Sequence, residues 1–157
     1  MRKRIIGQDR QEAASADEHW LNVEGLAEVE ISSEDADHPI ESALVPGRAT
    51  GWRAGGPGKQ TIRILFAAPQ KLRRIRLDFE ERGPERTQEY VLRWSPDGGQ
   101  TFREIIRQQW NFSPQGATRE MEDLRVELPA VTVLELSIVP DISGGGARAS
   151  LAQMRLA

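Results

Sequence analysis

The chain has 157 residues, with 21 basic and 24 acidic side chains, a net charge of −3 and no cysteine. That length suits one domain whose core needs no covalent staple. The missing cysteine excludes disulfides, thiolate zinc sites and a cysteine nucleophile, and the interleaved charges select neither nucleic acid nor membrane as a partner.

The chain starts Met1-Arg2-Lys3-Arg4-Ile5-Ile6, a basic head backed by two adjacent apolar residues and then by polar positions through Glu18. This is neither a signal peptide nor a membrane span, so a cytoplasmic protein is expected. Residues 1–18 read as a flexible or lead-in arm and residues 19–157 as a single domain. The first strand signal covers residues 26–31, with Ala27, Val29 and Ile31 on one side. A long loop over residues 36–59 follows, punctuated by Pro46, Gly47, Gly51, Gly55, Gly56, Pro57 and Gly58. Loops of that length are functional or packed by their own side chains. One helical turn over residues 39–44 would tuck Ile40 and Leu44 inward. His19 and His38 are the only histidines, and although His38 stands beside Asp35 and Asp37, the spacing fits no two-histidine metal site.

Strands dominate the remainder. Residues 61–66 put Ile62, Ile64 and Phe66 on one face, and residues 74–79 do the same with Ile75, Leu77 and Phe79. Residues 90–102 form the clearest hairpin. Tyr90, Leu92 and Trp94 share its core face, Pro96 and Asp97 set the turn, and Gly98 and Gly99 supply positive φ before Phe102. Strands over residues 102–109, 124–128, 131–138 and 150–156 complete about eight, with no helix longer than a turn or two. This is the pattern of an all-β antiparallel sandwich of jelly-roll type. The turn Ser95-x-Asp97-x-Gly99-x-Thr101-Phe102 is similar to the Asp-box of sialidase propellers. A propeller needs repeats, and this motif occurs once, so Ser95 and Asp97 are expected to brace the hairpin. Arg63, Arg74, Arg76, Arg93, Arg103 and Arg107 alternate with the apolar positions. Interleaved Asp78, Glu89, Glu104 and Glu135 make a mixed, salt-bridged face the expectation rather than a nucleic-acid surface.

From about residue 29 to residue 156 the chain resembles the discoidin or coagulation-factor C-type domain, the galactose-binding-like fold that serves sugar-hydrolysing enzymes as a carbohydrate-binding module. The matching pieces occur in order: Ile31-Ser32-Ser33-Glu34, Ala43-Leu44, Thr50-Gly51-Trp52, Gln60-Thr61-Ile62, the strand over residues 72–79, the hairpin, and the closing residues 149–156. The resemblance implies a β-sandwich that lacks catalytic groups and binds through loops at one end. Many members hold calcium through an Asp after the Ala-Leu pair and a Glu in the last strand. Here those positions are Val45 and Gln153, so no cofactor is expected.

Sugars are held by an aromatic face and by directional polar groups. The candidates are Arg53 after Trp52, Arg82 and Arg86 in the loop before the hairpin, and Trp110 and Asn111 ahead of Arg119. Trp52 favours a core role. Trp110 and Phe112, in phase with each other, divide evenly between core and exposed platform. No nucleophile–base pair, metal cluster or phosphate loop is visible, so an enzyme is not expected. The leading expectation is carbohydrate binding through the loops; the alternative is a protein-interaction module using a sheet face or the same loops.

Overall fold

Two long strands carry the architecture of this computed structural model, which describes residues 20–48 and 50–157; the arm expected over residues 1–18 lies outside that range. β3 (Gln60–Glu80) and β6 (Arg119–Val139) pair antiparallel from Gln60 opposite Ile138 to Glu80 opposite Arg119. The sequence pattern predicts two strands in each of these stretches, but each forms one. Pro69 and Pro129 fall near the register shifts between Leu65 and Arg74, where the ribbon bends without breaking. A proline, lacking its N–H, is tolerated at such a bulge. Beyond the bend the pair passes from one layer of the sandwich to the other.

In the first layer, the early part of β3 and the late part of β6 join β1 (Ala27–Ile31), β4 (Arg86–Ser95) and β5 (Arg103–Phe112) in the order β1-β3-β6-β4-β5. In the second layer, β8 (Gln153–Leu156) pairs with the late part of β3, Ile75 opposite Leu156 and Asp78 opposite Gln153. The closing strand predicted over residues 150–156 divides at Ala152, whose N–H turns to Asp78 O. The resulting β7 (Ser150–Leu151) pairs with β2 (Trp52–Arg53), a short strand inside the expected loop. Two four-residue helices precede this pair: α1 (Val23–Leu26), which the strand pattern hides, and α2 (Glu41–Leu44), where a helical turn is expected.

The apolar faces of the two layers meet in one core. Ile62, Ile64, Leu92, Leu136 and Ile138 of the first layer and Ile75, Leu77, Phe79, Met154 and Leu156 of the second are all buried. Phe79 and Tyr90 join the layers, ring centroids 5.2 Å apart. Trp94 is buried, in keeping with its phase. The hairpin turn is braced as its sequence suggests. The Asp97 carboxylate accepts from Thr101 N (2.9 Å) and Thr101 Oγ1 (2.6 Å), and Ser95 Oγ accepts from Gly99 N at 2.8 Å. Hydrogen bonds from Thr101 and then Ser95 lower the Asp97 carboxyl to about 2. No helix among the described residues is long and apolar enough to cross a membrane.

The outer face of the first layer is a ladder of alternating charge. Glu30, Arg63, Glu135, Arg93 and Glu104 sit opposite one another across the five strands. Glu135 points outward yet is only 2% exposed, because Arg63 (Nε to Oε2, 2.8 Å) and Arg93 (Nε to Oε1, 2.9 Å) lie over it. Burial raises its carboxyl, but hydrogen bonds from the two guanidiniums outweigh that and leave it lowered. The mixed face expected from the sequence is present here as cross-strand ion pairs, but Arg74, Arg76 and Asp78, expected on the same face, lie beyond the bend in the second layer.

Candidate functional site

At one end of the sandwich the loops converge on Glu81, the residue that follows the long strand β3, and it is buried. Its backbone N–H donates to Thr118 O at 2.8 Å, fixing it against the loop that enters β6. Its carboxylate takes three partners: Arg86 Nη2 at 2.8 Å, Arg53 Nη2 at 3.7 Å and the Ser150 hydroxyl. Arg86 is itself buried and donates through Nη1 to Pro140 O at 2.9 Å. One carboxylate therefore ties together β2, β4, β7 and the loop after β6. A buried charge is tolerated where opposite charges and donors satisfy its lone pairs.

Around this centre the first long loop is built by local hydrogen bonds. Asp35 N donates to Arg53 O (2.8 Å), Arg53 N to His38 O (3.1 Å) and His38 N to Asp35 O (2.9 Å), which places His38 beside Arg53. Trp52 is a core plug, 1% exposed, whose indole N–H reaches Ser33 O at 3.1 Å. Gly51, at φ +69°, lets the chain pass close to β7. A Cβ there would lie 2.9 Å from Leu151 O, so this position requires glycine.

Two adjoining cavities open at this end, and Arg53 lines both. The first, about 280 Å³, is walled by His38, Thr50, Arg53, Glu80, Arg82 and Ser150 among others. The second, about 420 Å³, lies between Arg53, Glu81, Arg86, Asp141 and Arg148, beside the glycines at 144–146. Arg82 is held by Glu80 at 2.6 Å, so guanidinium donors and carboxylate acceptors alternate around the first mouth. This balanced array suits hydroxyl groups, which donate and accept at once.

The structure brings together three of the six residues singled out from the sequence. Arg53 and Arg82 face the first cavity; Arg86 reaches the second but is spent on Glu81 and Pro140. Asn111 stands behind, donating to Glu85 Oε2 at 3.0 Å and accepting from Thr87 Oγ1 at 3.0 Å. Arg119 grips Asp78 through two hydrogen bonds of 2.9 and 2.6 Å, which raise its guanidinium further. Trp110 is 36% exposed, while Phe112 is buried. Neither Arg119 nor Trp110 lines either cavity. His38, Thr50, Glu80, Ser150, Asp141 and Arg148 complete the walls. A lone serine, threonine or glutamate in sequence carries no mark of such a place.

Trp110 sits opposite Gln88 on the flank of the sandwich, beside a different polar set. Gln88, Tyr90 and Glu120 are each at most 2% exposed. Among the described residues, neither polar atom of Gln88, nor Tyr90 Oη, nor either Glu120 oxygen has a hydrogen-bond partner. Burial, with the neighbouring Glu122 carboxyl, pushes Glu120 up to about 7. Burial also raises the Tyr90 hydroxyl, aided by the charges of Glu122 and Glu120.

The curated proteins contain no match. Among solved structures, the family 32 carbohydrate-binding module of NanJ from C. perfringens, in complex with galactose, is 13% identical over 87% of this chain and 96% of its own, with a TM-score of 0.66. A third family 32 module from a family 31 glycoside hydrolase of Clostridium perfringens is 18% identical over 90% and 96%, with a TM-score of 0.66. The module of AlyQ in complex with 4,5-unsaturated mannuronic acid is 14% identical over 84% and 95%, with a TM-score of 0.61. At these identities the likeness is one of fold. The sequence profile of the F5/8 type C domain matches residues 28–153, and the chain belongs to that family.

Proposed function

We propose that this chain is a non-catalytic carbohydrate-binding module that takes a sugar ring in the cavities at its loop end. The observation that carries the reading is the placement of Arg53 at the junction of two cavities, held from behind by buried Glu81. At 3.7 Å this contact is an ion pair rather than a hydrogen bond, so Glu81 keeps the guanidinium nearby by charge and leaves its directional donors for a ligand. Glu80, Thr50, Ser150 and His38 add acceptors and donors around it. The solved modules bound to galactose and to an unsaturated mannuronic acid support the same end use. Because Trp52 is buried and Trp110 stands away from both cavities, recognition rests on hydrogen bonds rather than on aromatic stacking.

Calcium has no part in this reading. Val45 lines an apolar groove with Leu44, and Gln153 offers a neutral amide, so two carboxylates that a hard cation wants are lacking. The test is a glycan array on the purified chain, repeated with chelator, then calorimetry with the best sugar. Arg53→Ala is expected to abolish binding and Arg119→Ala to leave it intact, with chelator changing nothing. An array without a single bound sugar would remove the proposal.

A further inference from the structure

On the flank away from β5, the first layer ends in β1, which is hydrogen-bonded to β3 on one side and, among the described residues, to no strand on the other. Ser32 N donates to Thr61 O at 3.0 Å. Antiparallel alternation then turns the backbone groups of Glu28 and Glu30 toward β3 and those of Val29 and Ile31 outward. Both faces of this edge border open space. The inner hollow, about 430 Å³, has Val29, Ile31, Ile40 and Leu44 in its wall, with Glu24 and Glu41 at its rim. The outer one, about 730 Å³, runs past Glu30, Ser32, Thr61 and Arg63. A free edge with room above and below it has the shape of a missing neighbouring strand.

We infer that this edge takes an extended peptide segment of a protein partner, added to β1 as a further strand, in which aliphatic residues alternate with lysine or arginine. The alternation follows from β1 itself, Ala27-Glu28-Val29-Glu30-Ile31. Side chains opposite Val29 and Ile31 enter the apolar hollow, and those opposite Glu28 and Glu30 meet carboxylates. Glu24, Glu34 and Glu41 add negative charge along the inner hollow. Arg63 is the cation on the outer side, and it sits 2.8 Å from Glu135 but 4.0 Å from Glu30. A second copy pairing through β1 would set glutamate rows against each other, as an acidic segment would, so charge selects a basic partner.

The probe is a synthetic peptide of alternating valine and lysine, roughly seven residues long, titrated into the isotopically labelled full chain while amide resonances are followed. Saturable shifts are expected at residues 27–31 and along the inner hollow. A peptide N-methylated on the edge facing β1 should not bind. The double substitution Glu28→Lys and Glu30→Lys, both exposed, should weaken the lysine peptide by about tenfold or more and create binding of its glutamate counterpart. Shifts confined to other surfaces, equal affinity after the charge reversal, or undiminished binding of the N-methylated peptide would each overturn the inference. So would sedimentation showing a dimer abolished by the charge reversal, which assigns the edge to a second copy. Movement of the β1 amides on Arg2→Glu with Arg4→Glu, without peptide, would assign it to the chain's own start and overturn it equally.

Discussion

Glu81 and Glu120 are both buried carboxylates at the same end of the β3–β6 ribbon. Glu81 N–H is bonded to Thr118 O, and Glu120 lies opposite Phe79. Glu81 is met by two guanidiniums and a hydroxyl. Glu120 has, among the described residues, no donor for either oxygen, and it shares its surroundings with the Glu122 carboxyl. The first arrangement keeps a charge in place and uses it to hold Arg53 beside the cavities. The second makes the charge itself the liability, which a proton relieves. Burial alone therefore does not mark a functional acid; what its neighbours donate decides the role.

The largest expected effect lies on the Glu81 side. Glu81→Ala leaves the buried Arg86 guanidinium without its counter-charge and should cost about 3–5 kcal/mol, read as a fall in the denaturation midpoint, together with loss of glycan binding. If stability falls while affinity stays, the carboxylate is a staple and Arg53 needs no support. Next comes the pH dependence of Glu120. Its folded value, about 7, is raised above the ordinary 4.5, so the stabilisation it brings is complete below that ordinary value and is lost as pH rises through 7. Between pH 5 and 8 the loss should be on the order of 2 kcal/mol, and Glu120→Gln should flatten the profile. A profile that is already flat in the parent chain would erase the contrast.

Glu135 gives a smaller, intermediate case. It is buried beneath arginines whose side chains are 45% and 40% exposed. Those guanidiniums can return to water, so Glu135→Gln should cost about 1 kcal/mol and leave glycan affinity unchanged by calorimetry. The smallest effect is at the hairpin. Asp97 is held at about 2 against an ordinary 3.8, so its contribution is present above the ordinary value and fades as pH falls through it toward 2. Asp97→Asn should lower Tm by a few degrees at neutral pH and less in acid.

The fold was legible because its information is local and periodic. Ile62-Ile64-Phe66, Ile75-Leu77-Phe79 and Tyr90-Leu92-Trp94 each declare an inward face, and Asp97-Gly98-Gly99 declares a turn. The start of β6 was not legible, because Glu120 and Glu122 occupy inward positions where an apolar residue is expected. Nor was the two-residue pairing of β2 with β7, which joins positions 52–53 to 150–151 and leaves no periodic trace. The candidate site suffers from the same distance. Arg53 and Arg82 were visible as polar residues in loops. That Arg86 is consumed by Glu81, that Arg119 turns to Asp78, and that Ser150 closes the cavity depend on contacts between residues far apart in sequence.

The continuity of β3 and β6 has a consequence for how the molecule comes apart. Each strand spends part of its length in either layer, so the sandwich has no seam along which one sheet can detach while the other survives. Solvent reaches the amides of the β3–β6 ladder only when both layers dissolve together. Hydrogen exchange along these strands should therefore report one common opening free energy, equal to that of global unfolding, while the β2–β7 pair and the loops around the cavities open more easily.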